Sequence, residues 1–469
     1  MKISLSSPLL RQYAVVVIVN LSIFTTGISL AWPSPILVKL NDPEQTPLSR
    51  PITAEEGSWI VSVGFLCATF TIILFARLLD IIGRRYCLLM MFVPKILIGL
   101  LYTFASELWM LILGRLVMNS IDCYVLVIVP VYASELASKE HRGVLGTLLQ
   151  VFASLGELVT LSIGPFVSYK SFNIIFTCLI AATVIPTVLF LPDSPSFLYS
   201  KGRKEKSLNV LTHLRGDPMK AAKEIEEYNL ATQNQERVKI ASLLKDRVFR
   251  KSLALASLVA VGTQLIGFNA VTFYLQTIFI STNTNVRSEI ASVIIGVIQV
   301  VSSMLTHIVI SSRFSRKTIL TASLSTMCAG MVGLGVFFKV TEPEDYIISR
   351  FMNYLPLICL IVVISSYIAG IGSLVWLVIG ELFEDSARAF GVSFSLTGTV
   401  GLIFLTSKYF PLVTSSLGPP ATYWIFSGLN VLLITLIALF LPETKGKSFN
   451  EIQKALGRKM EDDKAENIS

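Results

Sequence analysis

Val129-Pro130-Val131-Tyr132-Ala133-Ser134-Glu135, with Arg142-Gly143 placing an arginine seven residues after the acid, is the stretch on which the fold turns. An apolar segment of helix length lies on each side of it. The same corner returns in the second half as Gly380-Glu381-Leu382-Phe383, with Arg388 again seven residues after the acid and Gly391 beyond. There too the flanking segments are apolar and of membrane length. Two copies of one charged corner point to a duplicated membrane protein, its halves latched on one face by acid and arginine.

Composition agrees. Hydrophobic residues make up 53% of the 469-residue chain and charged ones 15%, where soluble globules average roughly 25% charged. Mean hydropathy is +0.68. The length suits about twelve spans of ~20 residues with one sizeable insertion left over. The net charge of +8 comes from basic residues in short loops between apolar runs, a pattern of membrane topology and anionic lipid contact, not of nucleic-acid binding. The six cysteines fall in apolar segments without paired spacing, so neither a disulfide framework nor a metal site is expected. The first apolar run carries Pro33 and Pro35 and lacks a small-residue cleavage site, which reads as a retained span.

Spans are expected at about 13–37, 57–79, 86–106, 108–134, 144–168 and 172–191, then at about 251–280, 288–311, 318–339, 351–383, 388–412 and 419–441. Trp32-Pro33-Ser34-Pro35 must kink the end of the first, because proline removes a backbone donor and clashes with the preceding turn. Pro192-Asp193-Ser194-Pro195 stops the sixth. Roughly sixty residues of mixed charge follow, with helical character at Ala221–Glu227 and Val238–Leu244. The expected fold is an all-α membrane protein of twelve transmembrane helices in two six-helix bundles, 1–191 and 251–441. A cytoplasmic linker with short helices, 192–250, joins them, and 442–469 forms a charged tail. Lys and Arg concentrate at both termini and in the turns at 80–85, 139–142, 192–251, 312–317 and 384–388, which places that side in the cytoplasm. A six-span unit repeated after an insertion is the plan of the major facilitator superfamily, whose substrate site lies at the midplane between the halves.

The motifs resemble the sugar porter family, and most of all its insect facilitated trehalose transporter branch. Those that carry the resemblance are Trp32-Pro33-Ser34-Pro35, Asp80 with Gly83-Arg84-Arg85, Gly114-Arg115, Pro130-Val131-Tyr132 with Glu135, and Arg142-Gly143. Gln150 with Gly156, Pro192-Asp193-Ser194-Pro195, Gln264 with Gly267 and Asn269, Trp376 with Glu381 and Arg388, and Pro442-Glu443-Thr444-Lys445-Gly446 complete the set. The resemblance implies alternating-access passage of a hexose or disaccharide contacted by Gln150, Gln264, Asn269 and Trp376. The chemistry is apt. Amides offer both donor and acceptor to a polyhydroxyl ligand, and an aromatic face suits its C–H surface. The chain departs from the family pattern at Thr263, which precedes Gln264 where an amide is usual, and at Thr399 and Val400, where span eleven usually carries Asn-Trp. Span ten lacks the prolines usual before its tryptophan. Thr263 and Thr399 therefore stand in the expected substrate site as thinner polar contacts.

Four ionisable residues fall inside spans: Lys95, Arg115, Asp122 and Glu157. Asp122 shares a helix face with Arg115 but is too far along it for direct pairing, so Lys95 is its expected partner. Glu157 lies seven residues after Gln150, on the same face two turns further out. Two readings stand. It projects into the central cavity, biases it against anions and, neutralised by burial, carries a proton; or it turns to a neighbouring helix and holds spans together. Span one lacks the Asp of many proton-coupled sugar porters, which favours uniport. Arg84, Glu135, Arg142, Glu381 and Arg388 are expected to cluster when the cytoplasmic side is closed and part when it opens, a cytoplasmic gate.

The expectation is thus a plasma-membrane sugar facilitator, multi-pass and monomeric, surrounded by lipid, with no cofactor and no nucleic-acid partner. Its alternatives are a proton-coupled symporter of a sugar or polyol and a non-transporting nutrient sensor. An enzyme is not expected: phosphate-binding glycine loops are absent, and His307 sits in a span without neighbouring Cys, Asp or Glu.

Overall fold

Hydrocarbon leaves backbone N–H and C=O groups no partners but each other, so apolar runs of this length become helices. A computed structural model describes residues 7–457 apart from 139, 234–242, 312, 344, 345, 347, 384 and 448. Span one is α1 (Pro8–Ala31) and α2 (Pro33–Asn41); spans two to six are α3 (Ala54–Ile82), α4 (Arg84–Thr103), α5 (Leu108–Leu136), α6 (Arg142–Ile163) and α7 (Tyr169–Phe190). Three short helices follow, α8 (Pro195–Ser200), α9 (Lys204–Arg215) and α10 (Pro218–Gln233). The expected helix at Ala221–Glu227 lies within α10; most of Val238–Leu244 lies outside the described residues.

Span seven is built from α11 (Arg247–Leu265), α12 (Phe268–Phe273) and α13 (Leu275–Ser281). Spans eight and nine are α14 (Ser288–Ser311) and α15 (Arg316–Val340). Span ten is α16 (Leu355–Ser366), a π-turn at Tyr367–Ile371, and α17 (Gly372–Glu381). α18 (Asp385–Leu417), α19 (Pro419–Phe440) and a tail helix α20 (Phe449–Ala455) end the chain. Among the described residues eleven helices are long and apolar enough to cross a membrane, and α3, 29 residues long, has the length for the twelfth.

The breaks follow local chemistry. Span one bends at Trp32, where Pro33 and Pro35 follow. Span seven breaks at Gly267, whose φ of 90° belongs to glycine and whose Cβ position is filled by the ring of Phe426. Span ten is interrupted by an extra residue in one turn, with no proline there.

By compactness the chain divides into two units. Unit 1 comprises Met1–Gln235, Asn269–Ser303 and Ile403–Val413; unit 2 comprises Glu236–Phe268, Met304–Leu402 and Thr414–Ser469. Inside unit 1, α1 and α6 touch backbone to backbone. Gly27 lies against the Ala153 carbonyl and Gly156 against that of Phe24, leaving no room for a side chain at either. Buried polar groups finish the packing. Trp32 Nε1 donates to Asn173 Oδ1 at 2.9 Å and its ring stacks on Tyr102. Arg115 donates to the carbonyls of Ser29 (3.0 Å) and Ile60 (3.2 Å). Lys95 Nζ pairs with Asp122 Oδ1 at 2.7 Å, and Thr26 Oγ1 stands 3.0 Å from each, the partnership the sequence suggested.

Within unit 1, α9 and α10 are fastened to α5 through Arg215, which pairs with Glu224 at 2.9 Å and donates to the carbonyls of Leu136 and Ala137 at the end of α5. Those carbonyls have no partner within their own helix, so the arginine caps it. Inside unit 2 the tail helix is fastened similarly, by Gln453 to the Leu382 carbonyl and by Lys251 to that of Leu456.

Candidate functional site

The charged corners are the better-defined part. In unit 1, Tyr132 ends its span by donating to the Pro192 carbonyl. One turn on, Glu135 accepts from Ser194 Oγ at 2.5 Å and pairs with Arg84 at 3.1 Å. Arg84 also donates to the Leu79 carbonyl and lies over the Phe197 ring, while Arg85 stands 3.9 Å from Asp193. The Pro-Asp-Ser-Pro stop and the Gly-Arg-Arg turn are therefore the two walls that hold the acid.

Unit 2 repeats the plan with different side chains. Glu381 stands 3.8 Å from Arg316. Glu443 accepts from the backbone N–H of Arg316 (2.9 Å), Lys317 (3.2 Å) and Lys445 (2.9 Å), capping the start of α15. Burial works to raise the Glu443 carboxyl, but these N–H groups and the Ser315 hydroxyl outweigh it and hold it below the usual carboxylate range. In both units the acid thus meets the arginine that opens the third span of its half, Arg84 or Arg316. Arg388 instead donates to the carbonyls of Gly380 (3.0 Å) and Phe383 (3.5 Å), bracing the end of α17. The Arg142 side chain lies outside the described residues.

The expected substrate contacts divide between the units. Unit 1 holds Gln150 and Glu157, both half-buried on one face of α6, and Asn269, half-buried at the start of α12. It also holds a residue the sequence reading passed over. Gln299 on α14 is fully buried, yet neither end of its amide has a hydrogen-bond partner among the described residues. Gly296, one turn before it, is pressed against the Cα and side chain of Leu158, which sets the Gln299 turn of α14 beside the 154–158 turn of α6. There Ser154, fully buried, also has no partner for its hydroxyl. An unsatisfied amide and hydroxyl beside the helix that carries Gln150 make an environment for a ligand with its own donors and acceptors.

Unit 2 holds Thr263 and Gln264, both buried, and Gln264 Nε2 donates to Thr263 Oγ1 at 3.3 Å. The Gln264 amide also lies beside the Tyr367 hydroxyl of the π-turn. The Tyr367 ring stacks on Phe268 with centroids 3.6 Å apart and planes 8° from parallel. The sequence reading missed this aromatic pair as well, because only the π-turn brings Tyr367 to span seven. Trp376 on α17 keeps 39% of its surface exposed. Thr399 is buried, its hydroxyl returned to the Ser395 carbonyl one turn back, so it offers an acceptor lone pair and little else. Among the described residues no group of His, Cys, Asp and Glu is arranged to hold a metal ion.

A sequence model of the family described as sugar (and other) transporter matches residues 22–456. The chain belongs to that family. Among the family member's similar proteins is the facilitated trehalose transporter Tret1 of Polypedilum vanderplanki, 26% identical over 452 residues, covering 95% of this chain and 88% of the relative. Its namesake in Anopheles gambiae is 28% identical over 448 residues, covering 94% of this chain. The family member spans only about half the length of that relative, 55%. Of solved structures, the xylose transporter XylE from E. coli, in a partially occluded inward open conformation, has a TM-score of 0.75 at 19% identity, over 93% of this chain and 99% of that one. The same protein bound to 6-bromo-6-deoxy-D-glucose has a TM-score of 0.73 at 18% identity, over 95% and 99%. The fold of the family member is therefore that of the major facilitator superfamily.

Proposed function

We propose that this chain carries a neutral sugar, a hexose or a disaccharide such as trehalose, across the plasma membrane by alternating access, as a monomer and without ion coupling. The observation that carries the reading is the fully buried Gln299 amide, its donor and acceptor both unsatisfied among the described residues, on the helix next to Gln150. A sugar hydroxyl both donates and accepts, so one such group answers both ends where a cation or an anion answers one. Gln150, Gln264 and Asn269 would add amides of the same kind, Trp376 an aromatic face, and Thr263 and Thr399 weaker polar contacts. The names of the insect relatives favour a disaccharide and facilitated passage.

The halves 1–191 and 251–441 would be the moving bundles, with the linker 192–250 and the tail 442–469 on the cytoplasmic face beside both termini. Arg84, Glu135, Arg142, Glu381 and Arg388 would form the gate on that face. A carboxylate held in one state and released in the other biases the equilibrium between them.

One observation favours a second reading. Glu157 is an acid on the face of α6 that carries Gln150, which suits a proton-coupled symporter of a sugar or polyol. A nutrient sensor that binds without transporting draws only on Thr263, Thr399 and Val400. Counterflow of labelled glucose, trehalose, xylose and a polyol in proteoliposomes, at two external pH values, separates the three. Exchange independent of pH supports the carrier, pH-driven accumulation the symporter, and binding without exchange the sensor.

A further inference from the structure

α6 carries Gly146, Gln150 and Glu157 at intervals of four and seven residues, so the three share one helix face. Gly146 is the member nearest the Glu135 corner. It is exposed, and a Cβ built on it meets nothing within 4 Å. The space before it is a recess open to solvent, walled by Val129 and Pro130 of α5, Leu145 and Leu149 of α6, and Asn20 of α1. Among the described residues no charged side chain lines it.

Asn20 is 1% exposed. Its Nδ2 donates to the Val16 carbonyl at 2.8 Å, which fixes the amide and leaves Oδ1 buried without a donor among the described residues. An unsatisfied buried carbonyl costs about 1–3 kcal/mol. The walls do not relieve it. Pro130 has no N–H, and Ser134, at the rim, gives its hydroxyl to the Val131 carbonyl at 2.7 Å. None of the described walls supplies the missing hydrogen, which leaves it to a ligand. A charged donor would enter without a counter-charge, so the fitting ligand is neutral, with a hydroxyl at one edge and a C–H face for apolar walls.

We propose that this recess is a second sugar station, separate from the Gln150 and Gln264 contacts, in which a sugar hydroxyl donates to Asn20 Oδ1 and the ring lies against Val129, Pro130 and Leu149. The station rests on the reading of the chain as a sugar carrier. It lies on the face assigned above to the cytoplasm, one helical turn from Gln150, and so serves sugar entering or leaving on that side.

The test uses the full chain with its six cysteines replaced by serine and Gly146→Cys added, reconstituted in proteoliposomes. Labelling by a membrane-impermeant maleimide is timed with and without D-glucose or trehalose, and counterflow is measured on the same preparation. Either sugar at about four times its Kd is expected to slow labelling about fivefold, with the protection kept in Gln264→Ala and cut to about twofold or less in Asn20→Ala, since one lost hydrogen bond weakens affinity about fivefold. Unchanged labelling in vesicles active in counterflow overturns the station, leaving a recess that holds water only, while the carrier reading stands. Protection without counterflow supports the station and places the failure on the carrier reading. Protection that disappears with Gln264→Ala, or stays undiminished in Asn20→Ala, overturns the station. If the cysteine variant does not fold, Gly146→Leu in the wild-type background fills the recess. Labelled trehalose should then bind at one site per chain in place of two, and unchanged stoichiometry overturns the proposal.

Discussion

Lys95 is 2% exposed and Asp122 not at all, and their 2.7 Å contact joins spans three and four with the span-one hydroxyl of Thr26 between them. Two charges so deep are costly to desolvate, and one left alone is costlier still. Asp122→Leu should therefore lower the stability of the purified protein by about 3–5 kcal/mol, whereas Lys95→Met with Asp122→Leu should return to within about 1 kcal/mol of wild type. Thermal unfolding in detergent measures both, and a double variant no better than the single one would show that the pair is not an isolated ionic couple. Glu56 makes the contrasting case outside the membrane. The Arg50 guanidinium and the Thr53 backbone N–H hold its carboxyl at about 2, below its ordinary value of 4.5. A depressed acid contributes stability above its unfolded pKa and loses it as pH falls through the folded one. Comparison of Glu56→Gln with wild type should thus show a small melting difference at pH 6 that vanishes on acidification from about 4.5 towards about 2. Solvent screening keeps it to about 1 kcal/mol or less.

Among elements, the two corners and the two broken helices matter most. Ser194 and Arg84 hold Glu135, while Glu381 meets Arg316 across 3.8 Å, so the unit-2 acid is the more loosely held. If these acids bias a two-state equilibrium, Glu381→Ala should weaken counterflow about tenfold with expression largely kept, and Arg316→Ala should do the same. Undiminished exchange in both would remove the corner from the mechanism. The break in span seven depends on one residue. Gly267 has φ of 90° and faces the Phe426 ring, so Gly267→Ala carries both backbone strain and a clash, on the order of 1–3 kcal/mol. Binding of labelled sugar should fall more than global stability does, because the adjacent Gln264 and Asn269 lose their settings. The π-turn of span ten has no proline to announce it. Tyr367 reaches Phe268 and Gln264 only through that extra residue.

For the whole molecule, the decisive measurement is coupling. Uptake by an uncoupled carrier should be unchanged between pH 5.5 and 7.5, in wild type and in Glu157→Gln alike; a pH-driven component lost only in Glu157→Gln would make the chain a symporter instead. Much of the architecture was legible beforehand. Spans are dictated by apolar length, because a bilayer admits no unpaired backbone, and that rule needs no tertiary context. Duplication was legible from the repeated acid and arginine, and the Lys95–Asp122 partnership from the cost of a lone buried charge. What stayed hidden depends on which helix faces which. Spacing along the chain linked Glu381 to Arg388, yet packing gives the acid to Arg316 and turns Arg388 onto the carbonyls that end α17. Gln299 looked like any amide within a span until its burial and lack of partners set it apart. Asn20 became informative only once the described residues of the neighbouring helices left its carbonyl without a donor. A sequence records how often apolar groups recur along one strand of chain. Whether a polar atom inside the bundle finds its partner is a property of neighbours hundreds of residues away, and only the folded chain decides that.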